Sequence, residues 1–160
     1  MADVIFEDFT TEVQGAIDNN IMVVLEECAG ELEAATKRRS RVNTGQTKSS
    51  WRHKVTGSFL AGEFRAYIGS DDENAILEEF GTGEHAIQGG GRKGAWYVPV
   101  EGYTGRKAPS FNGQVIVVYG KGGKAYFKTN GKEARRSFYK AYEASKNKLI
   151  KKIQNSLKGL

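Results

Sequence analysis

The sequence predicts an α+β protein in which long N-terminal and C-terminal helices pack on an antiparallel β-sheet, with a short central helix and a long Gly-rich loop. Two observations predict this class. Apolar residues recur at three- and four-residue steps near both ends of the chain, and they alternate in short segments between the ends. The chain has 160 residues, of which 39% are hydrophobic, enough for one core. We therefore expect a single domain over residues 1–160.

The first long helix is predicted between Phe9 and Lys37. The apolar residues that form one of its faces are Phe9, Val13, Ile17, Ile21, Val24, Leu25, Cys28 and Leu32. Acidic residues favour its start, and Lys37-Arg38-Arg39 lie near its end, as the helix dipole prefers. Cys28, the single cysteine, is predicted to be a small core residue.

A β-hairpin is predicted next, from alternating segments that begin at Trp51 and Phe64. The sequence leaves its turn open between residues 56–58 and residues 60–62. Ser70-Asp71-Asp72-Glu73 then has the form of a capping box with Ser70 at the N-cap. This box predicts a short helix that ends at Gly81.

Residues 84–113 are predicted to be a flexible Gly-rich loop insertion that orders on contact with a neighbour and contains one strand at 96–100. Two more strands, at 115–119 and 125–127, are expected around the turn at 120–123. The second long amphipathic helix is predicted over 132–158, ended by Gly159.

Charge is segregated along the chain. Residues 1–36 carry nine acidic side chains and no basic one, whereas residues 92–160 carry sixteen basic and three acidic side chains. Such a pattern suits contact between copies or with a charged partner, although the two signs can equally meet inside one monomer. The candidate inter-subunit contacts are Arg92, Lys93, Arg106 and Lys107, and Arg92 and Lys93 are expected to meet the acidic first helix of an adjacent copy.

The sequence offers no pattern typical of catalysis. His53 and His85 have no histidine or cysteine at a metal-binding spacing. Asp71-Asp72-Glu73 lacks the spacing of a calcium loop, and the glycines of residues 89–94 lack the Ser or Thr and the helix of a P-loop. We therefore expect no catalytic residue, metal or cofactor. With no membrane-length apolar run and no signal peptide, a soluble protein made in the cytosol is expected.

The stretch Asn74-Ala75-Ile76-Leu77-Glu78-Glu79-Phe80-Gly81-Thr82-Gly83 resembles the Y-A-x-x-x-E-F-G-T-G signature of head-tail joining or tail-completion (neck) proteins of long-tailed bacteriophages. Residues 44–50 look like the T-G-x-L-x-x-S turn of that family, and residues 136–141 stand where its P-F-L-R-P-A segment opens the last helix. The chain departs from the family at Asn74, where an aromatic residue is usual, and it lacks both prolines of the closing segment.

The signature residues Glu79, Phe80, Gly81, Thr82 and Gly83 are predicted to be structural. The two glycines are expected to supply positive φ or close backbone approach where the helix turns into a strand. Phe80 is expected to anchor the turn in the core, and Glu79 to bind loop amides.

The resemblance implies a non-enzymatic structural protein of the virion neck or tail that is made in the host cytoplasm. Such a protein assembles as a ring, expected to be hexameric, and connects the tail to the head. The implied partners are copies of the chain, tail terminator, tail-tube and connector or head-closure proteins, with incidental contact to genomic DNA and none to membranes. The lysine-rich last helix supports an alternative, a basic nucleic-acid-binding module.

Overall fold

The computed structural model describes residues 8–41, 45–105 and 107–158. It confirms the α+β class and the order of the long helices and strands. The helices are α1 Thr10–Arg39, α2 Gln46–Ser50, α3 Glu73–Phe80 and α4 Ser137–Leu157. The strands are β1 Trp51–Ser58, β2 Glu63–Ser70, β3 Trp96–Pro99, β4 Ile116–Tyr119 and β5 Ala125–Thr129. Two short 3₁₀ turns, Gly83–His85 and Lys121–Gly123, complete the order.

The core lies between the two long helices, which run antiparallel. Ser137 at the start of α4 bonds to the carbonyl of Arg39, and Ser156 near its end bonds to Asn20. The buried apolar residues of this core are Cys28, Leu32, Ala35, Ala141 and Leu149. The predicted core position of Cys28 is therefore confirmed, and burial raises the pKa of its thiol.

The hairpin packs on α1. Its strands pair in antiparallel register from Trp51 opposite Ser70 to Ser58 opposite Glu63, so the turn occupies residues 59–62 and the second of the two predicted positions is confirmed. Ile68 of β2 packs against the core of the long helices. The hairpin follows α1 down to Asp18, whose carboxylate accepts the backbone N–H of Phe59 at 2.6 Å.

The strands form two sheets rather than the single sheet that the sequence predicts. β1 and β2 make one sheet, and β3, β5 and β4 make another, in the order β3-β5-β4. The separation arises because the chain leaves β2 through α3, and residues 82–84 then bond to the backbone of residues 130–132 instead of continuing the hairpin. As a result α4 packs along α1 and not on a sheet.

Two predicted boundaries differ from the structure. The N-cap of α3 is Asp72, whose side chain accepts from the N–H of Asn74. The hydroxyl of Ser70 instead accepts from Asp72 N and forms a hydrogen bond with Ser50, so it does not cap α3. The last helix begins at Ser137 and not at 132, because the residues before it bond to the signature turn. Gly81 ends α3 as predicted, whereas Gly159 lies outside the described residues.

Candidate interaction surfaces

Glu79 of the signature turn joins α3 to the start of α4. Its buried carboxylate accepts the backbone N–H groups of Phe138 and Tyr139, each at 2.9 Å. The N-cap of α4, Arg136, has a left-handed conformation (φ 56°) and makes no side-chain capping bond. Glu79 therefore caps α4 from a different helix: it binds backbone amides, but those of a helix start and not the loop amides that the sequence predicts.

The two glycines of the signature have positive φ, as predicted: 74° at Gly81 and 61° at Gly83. A Cβ atom on Gly83 would overlap the carbonyl oxygen of Asn130 and the ring of Trp96. Thr82 lies between them, and its hydroxyl accepts from Lys132 N at 2.9 Å. These residues hold the end of α3 against residues 130–132, the segment that follows β5 and leads to α4.

Two details of the predicted turn are wrong. Phe80 does not anchor it in the core, since 37% of the residue is exposed. The buried face of α3 consists of Ala75, Glu78 and Glu79, so a residue one position later points outward. The glycines also lead into the 3₁₀ turn Gly83–His85 and not directly into a strand.

Much of the segregated charge is paired within the monomer. Glu31 of α1 binds both Lys148 and Lys152 of α4, at 2.6 Å and 2.9 Å, and Lys152 also reaches Glu27. Hydrogen bonds from Lys148 and Lys152 lower the pKa of Glu31, and the carboxylates raise the pKa of Lys152. The carboxylates of Glu27 and Glu31 in the middle of α1 are thus already paired with lysines of α4.

His53 ties the hairpin to the same helix. Its Nδ1 lies 2.5 Å from Glu33 and its Nε2 lies 2.9 Å from Glu26. The hydrogen bond to Glu33 raises the pKa of His53, against the opposing effect of burial. Burial alone would raise the pKa of Glu33, but hydrogen bonds from Lys37 and His53 outweigh it and lower the pKa. This arrangement is a structural clamp.

Three of the four predicted contact residues of the Gly-rich loop lie within the described residues, and all three are exposed. Arg92 and Lys93 are exposed, and the Arg92 guanidinium stacks 5.7 Å from the ring centroid of Trp96. Lys107 is exposed, and its carbonyl accepts the hydroxyl of Tyr103. Arg106 lies outside the described residues.

Exposed apolar residues lie along β4, an edge strand of the three-stranded sheet, with Val118 on the opposite face from Val117 and Tyr119. Tyr119 is 76% exposed and Val117 41%, with Val118 similar. Lys121 and Lys124, in the turn after β4, are also exposed. Among the described residues, no helix packs extensively on these strands. We call Val117, Val118, Tyr119, Lys121 and Lys124 the sheet patch.

The first turns of α1 are not covered by α4 or by the hairpin, which pack on the rest of the helix. α4 ends beside Asn20, and the hairpin turns beside Asp18. Phe9 and Val13, on the same stripe that packs on α4 further along, are 56% and 55% exposed. The residues Asp8, Phe9, Glu12, Val13 and Ile17 form what we call the helix overhang.

A third apolar surface lies on the outer face of α3. Ile76 and Phe80 are one helical turn apart and exposed, Leu77 is beside them, and Ile87 bonds through its N–H to the carbonyl of Phe80. Monomers seldom expose several large apolar groups together without a contact to make there. The sequence analysis did not single out this surface, although Ile76, Leu77 and Phe80 belong to the signature.

The described residues contain no group of three or more His, Cys, Asp or Glu side chains placed to hold a metal ion. Over the same parts of the chain, no helix is both long and apolar enough to cross a membrane. Comparison with protein-family models, with curated proteins and with solved structures finds no match to this chain.

Proposed function

We propose that the chain is a structural subunit of a phage neck or tail, which assembles as a ring and joins the tail to the head as a tail-completion or head-tail joining protein. The observation that carries the proposal is the set of exposed apolar surfaces, above all the sheet patch on a sheet that no helix covers among the described residues. A protein that works by burying surface against other subunits needs such faces.

The particular place in a virion is supported by the resemblance around Glu79-Phe80-Gly81-Thr82-Gly83. The carboxylate cap and the positive φ of both glycines give this motif a clear structural purpose. The partners we propose are other copies, the tail terminator, the tail-tube protein and the connector or head-closure proteins. On this proposal the chain has no catalytic activity.

The nucleic-acid-binding alternative is less favoured by the structure. Lys148 and Lys152, two of the basic residues on which it depends, are paired with carboxylates of α1, and Lys146 is paired with Glu143. These pairs reduce the positive potential that phosphate binding requires. Binding to short DNA duplexes at physiological salt would favour the alternative.

The proposal is tested on particles from the host strain that produces this chain. We expect the protein to co-purify with intact particles and to be visible by electron microscopy at the junction of head and tail. A nonsense mutation in its coding sequence should yield unjoined heads and tails, and expression from a plasmid should restore joined particles. Absence of the protein from purified particles would overturn the proposal.

A further inference from the structure

We propose that the helix overhang of one copy docks on the sheet patch of the next copy. This contact rests on the proposed function, because it supplies the head-to-tail interface that a ring requires. Its two halves are surfaces of one chain, and each is apolar at its centre and charged at its margin.

The charges of the two surfaces are complementary. The helix overhang carries Asp8 and Glu12, and the sequence has no basic residue before Lys37. The sheet patch carries Lys121 and Lys124, and between residues 92 and 128 the sequence has seven basic residues and one acidic residue, Glu101. Complementary potentials favour this pairing and disfavour overhang on overhang or sheet on sheet.

The two surfaces lie at opposite ends of the monomer. Arg39, the last residue of α1, binds Ser137 at the start of α4, and the same end of α4 is capped by Glu79. The signature turn that follows Glu79 packs on Trp96 of β3 and bonds to residues 130–132 beside β5. The three-stranded sheet is therefore attached near the end of α1, which is about 33 Å of helix beyond Ile17, the last residue of the overhang.

This placement decides the type of contact. Over the described residues, α1 packs on α4 and the hairpin and not on β4. The contact therefore joins two copies, and because the two surfaces differ, each copy keeps one of each free. Repetition of the contact gives a closed ring or an open filament. The contacting residues are few, so we expect weak association between two copies and a strong gain on ring closure.

The first test uses a carbodiimide, which links carboxylates to lysines that are in contact. We expect linked peptides that join Asp8 or Glu12 to Lys121 or Lys124 in the full-length protein at low ionic strength. Mixing ¹⁵N-labelled and unlabelled protein shows whether the linked peptides come from two copies. Internal links between Glu31 and Lys148 serve as the positive control, since these groups lie 2.6 Å apart.

The second test exchanges charge across the contact. A variant with Asp8→Lys and Glu12→Lys, or one with Lys121→Glu and Lys124→Glu, should self-associate at least about tenfold more weakly than wild type in analytical ultracentrifugation. An equimolar mixture of the two variants should recover association, because each then meets a surface of opposite sign.

The apolar part of the contact is tested by Val13→Asp, with Val23→Asp as the matched control. Both valines lie on α1 and are exposed to a similar extent, 55% and 58%, but Val23 is outside the overhang. Only Val13→Asp should reduce association, and circular dichroism should show both variants folded.

The outcomes separate this inference from the proposed function. Particles that contain the protein at the neck and still assemble with Val13→Asp and with both charge variants would overturn the docking contact alone. A protein that is absent from particles but forms the cross-link and shows charge rescue would keep the contact and overturn the phage function. A wild-type protein that stays monomeric and unlinked at about 1 mM overturns the contact.

Discussion

Removing the Glu79 carboxylate should destabilise the whole fold, because this group holds the amides at the start of α4. It is 8% exposed and accepts two backbone hydrogen bonds of 2.9 Å. Hydrogen bonds to charged groups contribute roughly 1.5–3 kcal/mol each, and Glu79→Ala leaves two donors without their acceptor. We expect a loss of about 3 kcal/mol in the free energy of unfolding.

Urea denaturation followed by circular dichroism at 222 nm measures this loss. Glu79→Gln keeps one acceptor oxygen and should lose about half as much, which distinguishes hydrogen bonding from simple removal of bulk. Glu143→Gln, on an exposed part of α4, is the matched control and should stay close to wild type. A Glu79→Ala protein as stable as wild type would refute the capping role.

Two further predictions concern a glycine and a histidine. In the same urea assay, Gly83→Ala should lower the free energy of unfolding by about 2–4 kcal/mol, because its Cβ would overlap Asn130 and Trp96. Gly94→Ala is the matched control: it also has a positive φ (79°) but lies in open space, so the free energy of unfolding should fall by only about 1 kcal/mol. The pKa of His53 is raised in the folded state. The stabilisation that the protonated imidazole gives the folded state is therefore complete below the unfolded pKa near 6.5, and it is lost as pH rises through the folded pKa. The free energy of unfolding should therefore fall over that window, and His53→Gln should flatten the profile; an unchanged profile would contradict the clamp.

The local elements could be predicted because their signals are local. The apolar stripe of α1 and the alternation around Trp51 each depend on neighbours within a few residues. The sequence does not identify the N-cap of α3, because Ser70 and Asp72 both suit the role. The hydroxyl of Ser70 is hydrogen-bonded to that of Ser50, which is distant in sequence, and Asp72 caps the helix. Element boundaries depend on partners that the local pattern does not contain.

The surfaces were harder to predict, because exposure is a property of packing. The sequence places Phe9 on the apolar face of α1 and Phe80 in the core, but both are exposed. α4 ends beside Asn20 and does not extend to Phe9, whereas α3 buries Glu79 and turns Phe80 outward. The segregation of charge is visible in the sequence. Which charges pair is not, since Glu31 and Lys148 are 117 residues apart in sequence.

The proposed docking contact would give the exposed three-stranded sheet a second layer to pack against. Small sheets need packing against another layer for independent stability, and an edge strand such as β4 offers unpaired backbone groups to any neighbour. Docking of another copy would supply the missing layer and occupy that edge at once. On the proposed contact, assembly stabilises the sheet that lacks a covering helix in the monomer, so association of copies and stability of each subunit are linked.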